Sequence, residues 1–344
     1  MPSKYFIVYY LPLRLKFEPS CACFFMHKFM LSKKGIFIIK FYDKYKNIVA
    51  FKNGKGYNES MKIGIYANLF RDIGGKITRG LYEELKKEEG IDILLSDELR
   101  SLELPGKYLS RMALAGEADI VVVLGGDGTI LRIAKECARQ DAKLFSVNLG
   151  HRGFLAETEK PGFVRGMIKE VLRGEYIVDS RSFLEARAKG NKFYALNEVV
   201  VARGSRTRVV KCEVRVDGGL MDKYISDGVI VATPTGSTAY NLSAGGPIVS
   251  PDVEALVVTP ISAHSMHSRP IVVNNKSQIW LEVQHAEPHA HLNIDGEDVL
   301  NLADGDSVTV THSDLKIGFV RLKGYNYYER LLDKMRYWSA FDND

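Results

Sequence analysis

The sequence lacks the features that mark several large classes of protein. In its 344 residues, no apolar run reaches the roughly 18 residues that a membrane-spanning helix requires, so we expect no membrane partner. The formal net charge is only +5, and no long basic block occurs, so we expect no nucleic-acid partner. The four cysteines form no Cys-x-x-Cys pair and no zinc-ligand spacing, which favours reduced thiols in a cytoplasmic protein.

Two common phosphate-binding motifs are absent as well. The pattern G-x-x-x-x-G-K-[ST] occurs nowhere, and Leu131 stands where G-x-G-x-x-G requires its third glycine. Neither a Walker ATPase nor a classical dinucleotide fingerprint is therefore supported. His264 and His267 lie in a predicted loop without a nearby acidic ligand, and we predict no metal ligands among the side chains of this sequence.

The first 60 residues differ in character from the rest. They are rich in Phe, Tyr and Lys but show neither a helical nor a strand period, and they lack the pattern of a signal peptide. "MKIGIYAN", which starts at Met61, is typical of the first strand of an α/β domain. We therefore expect residues 1–60 to be an N-terminal extension outside the fold.

Residues 61–165 alternate between strand and helix patterns. "KIGIYAN" and "IDILLS" predict strands with the helix "TRGLYEELKKEEG" between them. "ADIVVVLGG" is a β-branched run of the kind that is buried on both faces of a parallel sheet, and the helix "TILRIAKECARQ" and the strand "AKLFSVNLG" follow it. This order predicts an open, doubly wound, Rossmann-like α/β domain.

Residues 166–322 instead show short strand patterns separated by turn residues. Asp-Gly and Asn-Asn pairs occupy positions 217–218, 227–228, 274–275, 295–296 and 304–305. This spacing predicts an antiparallel β domain of the sandwich type. Residues 323–344 contain "YNYYERLLDKMRYW", which predicts a C-terminal helix that returns to the first domain.

The stretch "GGDGT", residues 125–129, lies between the predicted buried strand and the next helix. Glycines there let backbone N–H groups approach an anion, and the helix N-terminus adds partial positive charge. The predicted phosphate loop consists of Gly125, Gly126, Gly128 and Thr129. Asp127 would repel a phosphate placed on it, but a kinase also needs a group that orients or deprotonates the acceptor alcohol. The alternative is that Asp127 only caps the helix.

The motif GGDGT resembles the one shared by NAD kinases, diacylglycerol- and sphingosine-type lipid kinases and, with Ser in the last place, phosphofructokinases. Downstream, "NEVV" (197–200) and "SDGVIVATPTGSTAYNLSAGGPIVSP" (226–251) resemble the NAD-binding motifs of NAD kinases in order and approximate spacing. The resemblance extends from residue 61 to about residue 338 and indicates an NAD kinase of an archaeal or similar prokaryotic type. It implies phosphoryl transfer from ATP or polyphosphate to the 2′-hydroxyl of the adenosine ribose of NAD, which gives NADP.

The resemblance also implies roles for individual residues. Asp127 would be the catalytic residue at the 2′-hydroxyl, Asn197 and Glu198 would bind the ribose and adenine part of NAD, and Asp227 would hold the nicotinamide side. The implied NAD site comprises Asp127, Gly128, Arg132, Asn197, Glu198, Arg208, Asp227, Thr238, Ala239, Tyr240, Asn241, Leu242, Ser243 and Ala263.

Some of these assignments have plain structural alternatives. Arg132 could be a solvated arginine on a helix face, and Asp227 could belong to a simple hairpin turn. Arg203 and Arg206 are close enough in sequence to take the place of Arg208. The sequence departs from the commonest bacterial pattern at Arg152, whose positive charge near the predicted cleft favours a more anionic phosphoryl donor.

The resemblance further implies a divalent cation, Mg²⁺ foremost, and a homodimer or homotetramer formed through the β domain. Two other functions stay open at this point. A lipid kinase would share GGDGT but would need a membrane-binding surface, and the sequence shows no amphipathic basic helix for one. A non-catalytic NAD-binding sensor would need no carboxylate at the acceptor hydroxyl, so Asp127 counts against it.

Overall fold

The computed structural model describes the strand residues 25–31 and 37–42 and then residues 60–150, 153–156, 164–205, 208–286 and 289–341. The chain divides into two compact units, Met1–Glu59 and Ser60–Asp344. In the first unit, β1 (Phe25–Leu31) and β2 (Phe37–Tyr42) form an antiparallel pair. The second unit carries all of the elements described below.

The second unit begins with five parallel strands and the helices that alternate with them. The strands are β3 (Met61–Ala67), β4 (Ile91–Ser96), β5 (Lys107–Leu109), β6 (Ile120–Gly125) and β7 (Lys143–Asn148). The helices are α1 (Lys76–Leu85), α2 (Arg111–Glu117), α3 (Asp127–Gln140) and α4 (Val164–Leu172). The strand order is β7-β6-β3-β4-β5, all parallel.

The central position of β6 follows from its sequence. Every residue of this strand is buried, as expected for a β-branched run between two covered faces of a sheet. Helix α3 covers one face with Ile130, Ile133, Ala134 and Cys137, all fully buried. Their spacing of three, one and three residues forms one stripe on a helix, so the GGDGT turn is fixed between two well-packed elements.

The remaining elements are mostly antiparallel. The strands are β8 (Tyr176–Ala188), β9 (Asn191–Ala195), β10 (Glu198–Arg203), β11 (Val210–Val216), β12 (Gly219–Ser226), β13 (Gly228–Ala232), β14 (Ala255–Ile261), β15 (Ile271–Asn274), β16 (Ile279–His285), β17 (Ala290–Ile294), β18 (Glu297–Leu302) and β19 (Ser307–Leu322). Two helices complete the chain, α5 (Tyr240–Ser243) and α6 (Tyr327–Phe341).

These strands form a sandwich of two sheets. One sheet has six strands in the order β15-β14-β13-β10-β17-β18. Buried valines of its central strands, such as Val201 and Val229, pack in one cluster with Val214, Leu281 and Val310 of the other sheet. Every residue of β13 and β14 is buried, and a second apolar cluster covers the opposite face, so the centre of this sheet is covered on both faces.

Strand β19 joins the two halves of the second unit. It pairs antiparallel with β16 and β8, and it also pairs in parallel with β7 of the α/β half. One continuous sheet of 11 strands therefore runs through both halves. The predicted fold, an α/β half followed by an antiparallel β-sandwich and a returning C-terminal helix, is confirmed.

The predicted turns have two different uses. Asp217-Gly218 and Asp295-Gly296 have positive φ angles at both residues and close the β11–β12 and β17–β18 hairpins, as Asp-Gly pairs commonly do. Asp227, in contrast, connects β12 and β13, which lie in different sheets, so it is not part of a hairpin turn. No helix in the described part of the chain is long and apolar enough to cross a membrane.

Candidate functional site

The GGDGT turn lies at the carboxyl end of β6, where α3 begins. A Cβ atom on Gly125 would lie 2.4 Å from Oγ1 of Thr129, so only glycine fits at this close approach. The N–H groups of Thr129 and Ile130 donate to the carbonyl of Gly126, which starts the helix. Nothing lies within 4 Å of the corresponding position on Gly128, which leaves the backbone of that residue open to a ligand.

Asp127 is the first residue of α3, but its side chain does not cap this helix. Its two carboxylate oxygens accept hydrogen bonds from the N–H groups of Phe154 (2.8 Å) and Leu155 (3.3 Å). These residues belong to the loop after β7, the neighbour of β6 in the sheet. Gly153 of the same loop has φ +145°, and a Cβ atom there would lie 2.4 Å from Oδ1 of Asp127. The capping alternative is therefore wrong: the carboxylate is held by another loop.

The surroundings of Asp127 act on its ionisation in opposite directions. Burial raises the pKa of this carboxyl group, whereas the N–H groups of Phe154 and Leu155 and the positive charges of Lys334 and Arg321 lower it, and the net shift is upward. A carboxylate with a raised pKa is a better proton acceptor than one in water.

A cleft of about 430 Å³ opens beside this carboxylate. It is lined by Asn68, Arg71, Gly126, Asp127, Gly128, Thr129, Arg132, Gly153, Phe154 and Thr238. The structure thus brings the predicted phosphate loop together with Arg132 and with Thr238 from the β half of the unit.

Four residues of the cleft, Asn68, Arg71, Gly153 and Phe154, were not predicted from the sequence. Asn68 follows β3 directly, and its amide donates to Oγ1 of Thr129 at 3.4 Å. Polar residues at the carboxyl ends of adjacent parallel strands meet at the same edge of a sheet, so the position of Asn68 after "KIGIYA" was the available signal. Arg71 lies beside Gly126 and Gly150, but no motif or periodicity in the sequence indicates a role for it.

Asn197 and Glu198 lie where β10 begins, and a buried carboxylate fixes their backbone. Asp295 accepts hydrogen bonds from the N–H groups of Leu196 (2.7 Å), Asn197 (2.8 Å) and Glu198 (3.1 Å). Oδ1 of Asn197 and Oε2 of Glu198 are buried without a hydrogen-bond partner. Since buried polar atoms normally have a partner, these two oxygens point to a ligand.

The ionisation of the Glu198 and Asp295 carboxyl groups is strongly perturbed. Burial, together with the negative charge of Asp295, raises the pKa of Glu198 to about 8. Burial raises the pKa of Asp295 to about 6, against the effect of the three N–H groups that it accepts from. At neutral pH Glu198 is therefore mainly protonated, and it can donate a hydrogen bond to a ligand as well as accept one.

The loop after β13 packs directly on Asn197. A Cβ atom on Gly236 would lie 2.1 Å from the carbonyl oxygen of Asn197, and Thr233 donates to that oxygen through its N–H group. Asn241 is fully buried; its amide donates to Ser237 and Pro247 and accepts from Thr259. The side chain of Asn241 thus stabilises the loop.

Other residues of the predicted site occupy different positions around this loop. Ala239 and Leu242 are half-buried, whereas Tyr240 and Ser243 are exposed. Ala263 is half-buried just after β14. Each remains a predicted contact.

The predicted arginines fall into two groups. Arg203 forms an ion pair with Asp227 at 3.1 Å, whereas Arg208 is exposed. Of these two arginines, Arg203 is therefore the one that contacts Asp227, the residue predicted to hold the nicotinamide side. Arg206 and the predicted effect of Arg152 fall outside the described residues, and both stay predictions.

A buried ion-pair network supports the loop that holds Asp127. Asp179 lies between Arg181 (2.6 Å) and Arg321 (3.2 Å), and Nη1 of Arg321 donates to the carbonyl of Leu155 at 3.0 Å. Burial raises the pKa of Asp179, but hydrogen bonds and charges from both arginines outweigh it and hold the pKa below its ordinary value. The carboxylate therefore stays ionised and balances two buried cations.

Comparison with known proteins gives a consistent result for both halves of the site. Residues 107–176 match the family described as ATP-NAD kinase N-terminal domain, and residues 196–322 match the ATP-NAD kinase C-terminal domain. An NAD kinase of Natranaerobius thermophilus is 35% identical over 281 residues, which are 79% of this chain and 97% of that protein. An NAD kinase of Thermoanaerobacter sp. (strain X514) is 35% identical over 280 residues, 80% of this chain and 98% of that protein.

Solved structures of similar fold agree with this assignment. Yeast NADH kinase complexed with NADH has a TM-score of 0.74 and 25% identity, and the match covers 81% of this chain and 88% of that one. An NAD kinase from Archaeoglobus fulgidus in complex with ATP has a TM-score of 0.64 and 28% identity, with 80% and 99% covered. These matches do not favour the lipid-kinase alternative. From GGDGT to the end of β19, both the sequence and the fold are those of one group of enzymes, and the chain belongs to the NAD kinase family.

Proposed function

We propose that this protein transfers a phosphoryl group to the 2′-hydroxyl of the adenosine ribose of NAD, with Asp127 as the proton acceptor. The observation that carries this proposal is the position of the Asp127 carboxylate, which lines the cleft beside the glycine turn and is held by two backbone N–H groups. Each oxygen accepts one N–H group and keeps a second lone pair for the substrate hydroxyl. The upward shift of the Asp127 pKa makes this carboxylate a better proton acceptor.

Asn197 and Glu198 fit the role of acceptor site. Their unpartnered buried oxygens match the donors of a sugar and a base edge, because ribose hydroxyls and an exocyclic amine supply such hydrogens. Thr238 lines the same cleft as Asp127 and belongs to the loop that packs on Asn197. We therefore infer that the dinucleotide extends from this loop to the GGDGT turn.

The donor phosphates fit the basic edge of the cleft. Arg71 and Arg132 line it together with the glycine turn, so the local charge suits a polyanion such as ATP or polyphosphate. No group of three or more His, Cys, Asp or Glu in the described residues could hold a metal ion. Mg²⁺ commonly binds substrate phosphates with only one or two protein carboxylates, and here the cation would screen the negative charge of the donor phosphates.

The test is an NADP-formation assay with NAD and Mg²⁺, run in parallel with ATP and with polyphosphate. We expect turnover by the wild type and a loss of at least about 100-fold in kcat for Asp127→Asn, with NAD affinity retained. Asp314→Asn, an exposed aspartate on β19, is the matched control and should keep full activity. If NAD binds but neither donor gives NADP, the chain is a dinucleotide sensor and the proposed catalysis is wrong.

We also propose that the chain is a cytoplasmic homodimer or homotetramer assembled through the β half. Strand β15, at one end of the six-stranded sheet, exposes Ile271 and Val272, and exposed apolar residues on an edge strand favour association with another copy. Sedimentation equilibrium of the wild type and of Val272→Lys tests this. A wild-type monomer at micromolar concentration would contradict it.

A further inference from the structure

The loop that donates to Asp127 is also held through its carbonyl groups. Nη1 of Arg321 lies 3.0 Å from the carbonyl oxygen of Leu155, and Nη2 of Arg330 lies 2.6 Å from that of Ala156. Arg321 comes from the end of β19 and Arg330 from α6. The C-terminal part of the chain therefore supports the segment that positions the Asp127 carboxylate.

Helix α6 buries a lysine on the side that faces this loop. Lys334 lies four residues after Arg330 and thus on the same side of the helix. It is only 6% exposed, whereas Leu332 is 52% and Met335 41% exposed. An amphipathic helix normally buries Leu and Met and leaves Lys in water. The reversed order places a buried positive charge on the side of α6 that meets the loop after β7.

Asp127 is a negative charge that acts on Lys334. Burial lowers the pKa of Lys334, and the negative charge of Asp127 raises it. In return, the positive charges of Lys334 and Arg321 both lower the pKa of Asp127. The Arg321 guanidinium is already engaged with Asp179, so the buried Lys334, on the side of α6 that meets the loop after β7 through Arg330, is a second cation that can compensate the Asp127 charge.

We propose that Lys334 is a positioning residue for phosphoryl transfer, whose buried ammonium group keeps the Asp127 carboxylate ionised and directed into the cleft. Lys334 is absent from the lining of the cleft, so it acts through Asp127 and not on the substrate. This inference rests on the proposed role of Asp127 as proton acceptor. It makes α6 part of the catalytic apparatus.

Other cations near Asp127 occupy different positions. Arg71 and Arg132 line the open cleft, where solvent and donor phosphates screen their charge. Arg321 approaches from β19 and supports the loop. Removal of Lys334 is therefore expected to change the ionisation of Asp127 even though the three arginines remain.

The experiment is the pH dependence of kcat for NADP formation. Lys334→Met should move the acid limb to higher pH by about one unit, as expected when an opposite charge beside a carboxylate is removed, and should reduce turnover about tenfold below the limb. Lys334→Arg should restore the wild-type limb because it keeps the charge. Arg336→Met removes a positive charge from an exposed position of the same helix and should leave the limb unchanged. Equal loss of activity at every pH in Lys334→Met, with an unmoved limb, would mean a merely structural role.

A second measurement uses the native chain and does not depend on the folding of a lysine variant. The ¹³Cε resonance of Lys334, assigned by selective lysine labelling, should show an inflection at the pH of the acid limb, and Asp127→Asn should abolish it. Absence of this inflection overturns the proposal. A wild type that shows the inflection but forms no NADP would instead reject the proposed function, so the two failures are distinguishable.

Discussion

Substitution of Gly153 tests how tightly Asp127 must be held. A Cβ atom at this position would lie 2.4 Å from Oδ1 of Asp127, whereas ordinary contact begins near 3.4 Å, so the carboxylate must move by about 1 Å. Such a shift breaks the 2.8 Å bond from the Phe154 N–H group. The backbone angle of φ +145° adds strain of about 1–3 kcal/mol for any residue with a side chain.

From this strain and the lost hydrogen bond to a charged group, which contributes about 1.5–3 kcal/mol, we expect Gly153→Ala to lose about 3–6 kcal/mol of stability. Because misplacement by 1 Å in an active site can reduce the rate about 100-fold, kcat should fall to about 1% of wild type. Initial rates of NADP formation and urea unfolding measure the two effects.

The matched control is Gly80→Ala in α1, where nothing lies within 4 Å of the new Cβ atom. It should raise stability by about 0.5–1 kcal/mol and leave kcat unchanged. A folded Gly153→Ala variant that keeps more than about a third of the wild-type kcat would refute the reasoning, because it would show that the contact between the loop and Asp127 is dispensable.

Three further predictions concern the acceptor site and its support. The pKa of Glu198 is about 8 in the folded chain against an ordinary 4.5, so the folded state binds a proton that the unfolded state has lost. The free energy of unfolding of the ligand-free protein should therefore fall by about 2–4 kcal/mol between pH 5 and 8. Urea unfolding at several pH values checks this, and Glu198→Gln should lose this pH dependence. Asp179→Asn leaves the buried Arg321 uncompensated and should cost about 3–5 kcal/mol, visible as a lower Tm; an unchanged Tm contradicts this. Gly236→Ala pushes against the backbone of Asn197 and should weaken NAD binding at least about tenfold by calorimetry while leaving ATP binding intact.

The elements that surround the site were predictable because their sequences carry strong patterns. The run "ADIVVVLGG" predicts a strand buried on both faces, and β6 is buried at every residue. The helix after it was predicted from residue 129 and begins at Asp127. The resemblance of "GGDGT" and "SDGVIVATPTGSTAYN" to family motifs led to the NAD kinase family, which the comparisons confirm.

The connections between these elements were not predictable, for physical reasons. The partners of Asp127 are backbone N–H groups of Phe154 and Leu155, and any residue type except proline provides such a group. Asp295 occurs in an Asp-Gly pair that predicts a turn, yet its carboxylate also accepts from three N–H groups of β10 and the residues before it. Lys334 lies in a helix whose pattern predicts that lysine is solvated.

Strand β19 has a consequence for how the enzyme could be divided or could have arisen. Its final residues supply a parallel neighbour for β7, although they follow the whole β-sandwich in the chain. A gene fragment that ends after the α/β half would therefore lack a strand of its own sheet and would leave the edge of β7 uncovered. The α/β half is consequently not an interchangeable module, because recombination or truncation between the halves separates strands that pair in one sheet. The unit that must be inherited intact is the pair of halves.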